Sequence, residues 1–222
     1  MSRIIAGELG GRRIRVPARG TRPTSDRARE ALFSRLQHTG ALSAARVLDL
    51  YAGSGALGLE ALSRGADEAV MVESGRPAAA ICRANAQELG VAGRVQVITS
   101  PVLRYLARTP DSGFDLVLAD PPYEVAQISD VLAALTGWLR PGALVVLERP
   151  VRAADVQWPP PLVGTDMREY GQSAFWFGHL PAERERRDVG DAGRDPGQGD
   201  DGAGGAGGAG GETADADDLT GQ

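Results

Sequence analysis

Asp120-Pro121-Pro122-Tyr123 closes the apolar run Phe114 to Ala119 and brings together residue types that suit one reaction. An exocyclic amine on a base ring is a poor nucleophile, because its lone pair is delocalised into the ring. A carboxylate and a main-chain carbonyl can accept its two N–H bonds and aim the lone pair at an electrophilic methyl. Asp120 supplies the first acceptor and the carbonyl of Pro121 the second. Pro121 and Pro122 each have φ fixed by the ring, so the acceptors stay where they are set. Tyr123 offers a flat face on which an extruded base can stack. The plainer reading of the same four residues is an Asx-type turn beside a packed tyrosine.

A second constellation lies upstream, in Arg46 to Leu62 (RVLDLYAGSGALGLEAL). Val47, Leu48 and Leu50 read as a buried strand, and Leu57, Leu59, Ala61 and Leu62 recur at helical spacing. Between them stands Gly53-Ser54-Gly55-Ala56-Leu57-Gly58. Strand, glycine turn and helix make the first unit of a nucleotide-binding α/β sheet, though such a glycine string also occurs in ordinary turns. Asp49 sits inside the strand, and Glu73 closes the next apolar run. Glu73 is thereby placed for a ribose diol. An acid beside the loop would repel a pyrophosphate and attract a cation. S-adenosylmethionine, with its sulfonium, ammonium and ribose, satisfies that requirement. The candidate cofactor-binding residues are Asp49, Tyr51, Ala52, Gly53, Ser54, Gly55, Glu73, Ser100 and Asp120.

The elements that must position these residues alternate. The pattern predicts helices from Arg76 to Leu89, Val102 to Ala107 and Ile128 to Leu139. It predicts strands from Arg94 to Ile98, Phe114 to Ala119 and Ala143 to Leu147, with Glu148 closing the last. Alternation of this kind implies a doubly wound, mostly parallel sheet. No helix separates Val163–Tyr170 from Ala174–Phe177, so these should pair antiparallel at the sheet edge. Ahead of the sheet, residues 3–16 read as a hairpin in which Arg12, Arg13 and Arg15 accompany Ile14 and Val16. Thr24 or Ser25 can cap a helix carrying Ala28, Ala31, Leu32, Phe33 and Leu36.

Charge is segregated along the 222 residues. The net charge is −5, yet residues 182–222 carry −7 and residues 1–29 carry +6. Every basic side chain is arginine. A basic front end suits nucleic-acid phosphates, with Arg3, Arg12, Arg13, Arg15, Arg22 and Arg27 as the candidate RNA-binding residues. The alternative is an edge strand guarded by charge. The acidic glycine-rich tail lacks apolar residues to bury and should be disordered. These divisions give residues 1–22 as a basic RNA-binding hairpin, 23–181 as the catalytic domain and 182–222 as the tail. The chain has one cysteine, Cys82, and no apolar run long enough to span a membrane. It also lacks the apolar stretch of a secretory signal, so a reduced cytoplasm is expected.

Residues 2–180 resemble the bacterial family of guanine-N2 methyltransferases that modify 16S ribosomal RNA. The resemblance is carried by Arg3-Ile4-Ile5-Ala6-Gly7, by Thr21-Arg22-Pro23-Thr24-Ser25-Asp26-Arg27 and by Arg29-Glu30-Ala31-Leu32-Phe33. Asp49 to Gly58 and Asp120 to Tyr123 complete it. The first three strings are narrow; the glycine and Asp-Pro-Pro-Tyr motifs are shared by many amino-methylating enzymes. The resemblance implies a seven-stranded Rossmann-like fold with S-adenosylmethionine as cofactor. It further implies methylation of one guanine N2, with 16S rRNA as partner, in an assembling small subunit, by a monomer that needs no metal. By resemblance Asp49, Gly53, Ser54 and Gly55 line the methionine end, Glu73 takes the ribose, and Asp120 to Tyr123 hold the guanine. Relatives usually carry Asn or Asp where this chain has Thr99-Ser100-Pro101-Val102, so adenine contact falls to Ser100 or main chain. Two other readings stay open: methylation of adenine N6 or of a protein glutamine amide, and a non-catalytic RNA-binding protein on the same fold.

Overall fold

A computed structural model describes residues 2–17, 25–122 and 128–182. At the centre of the molecule is a seven-stranded sheet. The strands are β3 (Arg46–Leu50), β4 (Glu68–Glu73), β5 (Val95–Thr99), β6 (Phe114–Ala119), β7 (Leu139–Pro150), β8 (Val163–Tyr170) and β9 (Ser173–His179). They lie in the order β5-β4-β3-β6-β7-β9-β8. The first five are parallel, and β9 runs antiparallel to both β7 and β8. The chain winds outward from β3 to β5, then crosses back to β6 on the other side of β3. That reversal opens a crevice at the carboxyl ends of β3 and β6, where sheets of this kind take their ligands.

Strand alternation sorts the core into two layers. Val47, Met71, Leu118, Val146 and Phe177 face a layer made by α1 (Asp26–His38), α2 (Ala56–Ser63) and α3 (Arg76–Glu88). Leu48, Val72, Val117 and Leu147 face α4 (Val102–Leu106) and α5 (Ile128–Leu135). Asp49 and Asp120 share the parity of Val47 and Leu118, so both belong to the α1–α3 face. Among the described residues no helix is long and apolar enough to cross a membrane.

Two boundaries differ from the sequence reading. Helix α5 stops at Leu135, a short 3-10 turn spans Thr136–Trp138, and Leu139 already starts β7. Pro141 and Gly142 therefore interrupt no helix. They sit inside β7, where the register against β6 shifts and Gly142 adopts φ +84°. A proline and a glycine are tolerated in a strand at such an irregularity.

The predicted N-terminal hairpin is present but short, with β1 (Ser2–Arg3) paired to β2 (Arg13–Ile14). Its bonding runs on through Ile4, whose N–H donates to the Arg12 carbonyl at 2.9 Å and whose carbonyl accepts from Gly11 N–H at 2.9 Å, and the next residues turn to partners beneath. The N–H groups of Ile5 and Ala6 donate to the carboxylate of Glu60 on α2, at 2.7 and 3.1 Å. Leu9 N–H donates to Ser63 Oγ at 3.0 Å. Ile4 and Ile14 are buried in the α1–α3 layer. Arg29, on α1, is 2% exposed and donates to the Arg3 carbonyl at 2.7 Å and to Asp26 at 2.9 Å. The crowding of charge at the start of α1 thus joins hairpin to helix, with Ser25 Oγ as the cap, accepting from Ala28 N–H.

Candidate active site

The glycine turn leaves β3 through two positive-φ residues, Tyr51 (+62°) and Gly53 (+56°). It enters α2 at Gly55, which caps the helix at φ +79°. A side chain at Gly55 would be strained by that φ alone, and its Cβ would lie 2.9 Å from Met71 Sδ. Ala52 N–H donates to the Val72 carbonyl at 3.1 Å, which ties the turn to the end of β4.

Three side chains fix the turn. Asp49 Oδ2 accepts from Gly58 N–H at 2.9 Å, and a Cβ at Gly58 would stand 3.2 Å from that oxygen. Glu73, at the carboxyl end of β4, accepts from Gly53 N–H at 2.8 Å through one oxygen and from Gly75 N–H at 2.7 Å through the other. Asn85 on α3, only 1% exposed, donates to the Ser54 carbonyl at 2.9 Å. The same amide accepts from Arg15 N–H at 2.8 Å and donates to the Arg15 carbonyl at 2.9 Å. One buried side chain thereby joins the glycine turn to the hairpin's second strand. Cys82, buried on α3, also donates from Sγ to the Gly53 carbonyl at 3.1 Å. Burial pushes its thiol up to about 12, so it is no thiolate.

Across the crevice, Ala119 pairs with Leu50 on one side and with Leu147 on the other. Asp120, the next residue, therefore lies beside Tyr51 and Glu148 at the same sheet edge. Its N–H donates to the Leu50 carbonyl at 3.4 Å. Desolvation raises the Asp120 carboxyl to about 8, with Glu148 and Asp49 adding repulsion. Desolvation likewise raises Asp49 to about 7, opposed by the Gly58 N–H and assisted by Glu73. Burial raises the Tyr51 hydroxyl. Carboxyls so placed strongly favour a cationic ligand, which would restore their charged forms. Pro121 is buried and Pro122 exposed; Tyr123 lies outside the described residues. Ser100 is buried just beyond β5, with its N–H on the Glu73 carbonyl at 3.0 Å and its hydroxyl donating to the Pro101 carbonyl at 3.1 Å. Among the described residues no cluster of His, Cys, Asp or Glu could hold a metal ion.

The donor set fits S-adenosylmethionine. Glu73 is held by two glycine N–H groups at the strand end where a ribose diol would meet it. Asp49 and Asp120 supply acidic groups at the crevice.

The basic residues divide differently from expectation. Arg12 donates to the Leu89 carbonyl at 2.8 Å and to the Glu88 carbonyl at 2.5 Å, at the carboxyl end of α3. Arg15 pairs with Glu88, and Arg3 with Asp26 at 3.3 Å. Three of the candidate RNA-binding arginines are thus engaged by helix carbonyls or carboxylates in this structure, Arg12 at the helix end where cations are commonly found. Arg13 and Arg27 are exposed and have no partner among the described residues, and Arg22 lies outside them. Sequence reasoning missed Asn85, Glu60 and Ser63. The one signal for them is a polar side chain on the apolar stripe of its helix.

Residues 2–179 match the protein-family model described as Conserved hypothetical protein 95. The ribosomal RNA small subunit methyltransferase D of Escherichia coli K12 is 40% identical over 154 residues, covering 67% of this chain and 75% of that protein. The Haemophilus influenzae protein of the same name is 36% identical over 151 residues, covering 66% of this chain and 77% of that protein. Among solved structures, the Escherichia coli protein yhhF superposes with a TM-score of 0.73 at 35% identity, covering 82% of this chain and 99% of that one. The Thermus thermophilus protein TTHA0928 gives 0.68 at 32% identity, covering 80% and 98%. With a matching family model, these relatives and an α/β sheet whose crevice suits a sulfonium cofactor, the chain belongs to the ribosomal RNA small subunit methyltransferase D family, a family of S-adenosylmethionine-dependent methyltransferases.

Proposed function

We propose that this protein methylates the exocyclic N2 of a single guanine in 16S ribosomal RNA. The observation that carries the reading is the position of Asp120, at the carboxyl end of β6 and across the switch point from Asp49 and Glu73. S-adenosylmethionine, when bound, supplies a methyl group on a sulfonium, so transfer is downhill once the nucleophile is in line. The protein's part is position and exclusion of water. Asp120, ionised, accepts one N–H of the guanine amine, and the Pro121 carbonyl accepts the other. The lone pair of N2 is then directed away from both acceptors. As N2 gains its new bond to carbon and positive charge, the Asp120 carboxylate stabilises that charge and can hold the proton N2 gives up. Tyr123 stacks on the flipped base. Glu73 orients the ribose, and Asp49 with the Gly53–Gly55 turn holds the methionine end. Tyr51, Ala52 and Ser100 complete that cofactor pocket.

In this reading residues 1–22 bind RNA and residues 23–181 carry the chemistry; the tail expected to be disordered lies, from residue 183 on, outside the described residues. Arg13, Arg22 and Arg27 contact phosphate, while Arg3, Arg12 and Arg15 hold the hairpin to its helices. The protein acts as a monomer in the cytoplasm, on rRNA within an assembling small subunit. The test is to restore this chain to a strain lacking its rRNA methyltransferase. Methylation is then mapped in 16S rRNA at single-nucleotide resolution. One N2-methylguanine that depends on Asp120 is the expected result. A methyl group on adenine N6, on DNA or on protein would overturn the assignment.

A further inference from the structure

Arginines of this sheet are treated differently at its two edges. At the amino edge Arg35 meets Asp166 at 2.6 Å, Arg94 meets Glu8 at 2.6 Å and Arg140 meets Asp115 at 2.7 Å; Arg46 pairs with Glu68. At the carboxyl edge, Arg76 and Arg104 follow β4 and β5, Arg149 is near the end of β7 with Arg152 in the turn after it, and Arg27 is in the first turn of α1. None of these five meets a carboxylate or carbonyl among the described residues. The exposed acids at that edge are Asp26, already paired with Arg3 and Arg29, Asp130 at the start of α5, Asp155 after β7 and Glu169 on β8.

The pair on β7 is the best placed for the acceptor. Asp120 stands opposite Glu148, and Arg149 is the next residue along that strand. Arg149 points to the other face of the sheet, so its charge is not spent on Asp120, whose charged neighbours are Glu148 and Asp49. Both arginines stand on fixed backbone. Arg149 pairs with Ala174 of β9, Val151 N–H donates to the Gln172 carbonyl at 3.1 Å, and Ala153 N–H closes a turn onto the Pro150 carbonyl at 2.9 Å. The fixed backbone sets where these two side chains leave the sheet, and an unpaired guanidinium there is free to take phosphate in a bidentate pair.

We propose that Arg149 and Arg152 form a phosphate-binding edge that grips the RNA backbone beside the target nucleotide. The assignment rests on the reading of the carboxyl edge as the site of RNA methylation. It adds a second contact region, on the opposite side of the crevice from the hairpin. A flipped nucleotide keeps a phosphate on each side, and extrusion needs those phosphates held while the base turns. Arg149 and Arg152 supply that hold next to Asp120.

The test compares Arg149→Gln/Arg152→Gln with Arg94→Gln/Arg140→Gln, two ion-paired arginines of the amino edge. Binding to protein-free small-subunit rRNA is measured at several salt concentrations, and binding of S-adenosylhomocysteine by calorimetry. The edge variant is expected to lower the salt slope by about 1.4, at about 0.7 for each single-strand phosphate that is no longer neutralised. The control should keep the wild-type slope, and both variants should keep wild-type cofactor affinity, which also reports their folding. RNA binding by the edge variant equal to wild type at every salt would overturn the proposal, as would an equal loss in the control. Guanine methylation without dependence on the edge sinks this inference and leaves the proposed function intact. Edge-dependent RNA binding with the methyl group found elsewhere does the reverse.

Discussion

The two edges of one sheet handle charge in opposite ways. At the amino edge, Asp115 accepts from Arg46 N–H at 2.8 Å and from Arg140 at 2.7 Å. Asp166 accepts from Arg35 at 2.6 Å, which holds its carboxyl below the ordinary value. At the carboxyl edge no arginine is bonded to Asp49 or Asp120 among the described residues, and both carboxyls are driven up to about 7 and about 8. Paired charge at one end serves the fold. Unpaired, desolvated carboxyls at the other favour a cationic ligand that would restore their charged forms, and such sites are where perturbed carboxyls gather.

The sharpest way to break this comparison is Asp120→Ala. Methyl transfer should fall by about two to three orders of magnitude, since an acceptor aimed at developing charge is removed. Cofactor affinity by calorimetry should change by far less. Wild-type turnover in this variant would remove Asp120 from the chemistry.

Asn85→Ala sharpens it from beneath. The amide satisfies the Ser54 carbonyl and both backbone groups of Arg15 in a buried place. Its loss should cost about 1–3 kcal/mol in denaturant unfolding, the range for buried groups left unsatisfied. Cofactor KM should rise as the turn loosens. Unchanged stability and unchanged KM together would show that the turn holds without it.

pH tests the electrostatics directly. A folded carboxyl raised from 3.8 to about 8 keeps its proton where the unfolded chain loses it. The stability this contributes is full below the unfolded value, is lost as pH rises and is gone above about 8. Relative to Asp120→Asn, the cofactor-free wild type should therefore lose melting temperature from acid toward pH 8. A cation favours the ionised forms, so cofactor affinity should rise by roughly tenfold from pH 6 to 8, with protons released on binding. Flat affinity over that range would contradict the raised carboxyls.

The smallest effect belongs to the amino edge. Arg140→Gln breaks a pair in which both side chains are substantially exposed, and stability should move by no more than about 1 kcal/mol. Activity should be unchanged. A large loss of methylation would end the division of the sheet into a paired end and a working end.

The sequence by itself determined the order of elements around the sheet, because buried parallel strands and amphipathic helices carry different apolar periods. It determined the glycine turn, since Gly55 at φ +79° needs the residue type it has. It also placed Asp49 inside its strand and Glu73 and Asp120 at strand ends, where motif and strand are contiguous in the chain. The limit of helix α5 was not legible: Trp138 and Leu139 are apolar in either reading, and pairing with β6 decided for a strand.

Only the tertiary structure decided what the polar residues inside the helices do. Glu60, 0% exposed, interrupts the apolar run of α2, yet its partners Ile5 and Ala6 are more than fifty residues away. Asn85 meets Arg15 and Ser54 across gaps of 70 and 31 residues. The arginines were the least legible, because every one looks alike in the sequence. Arg12 spends its donors on helix carbonyls, Arg29 is buried against the hairpin, and Arg13 stays exposed. A guanidinium on a long side chain takes whichever acceptor folding brings within reach, and that acceptor is set by long-range packing rather than by neighbours in the chain.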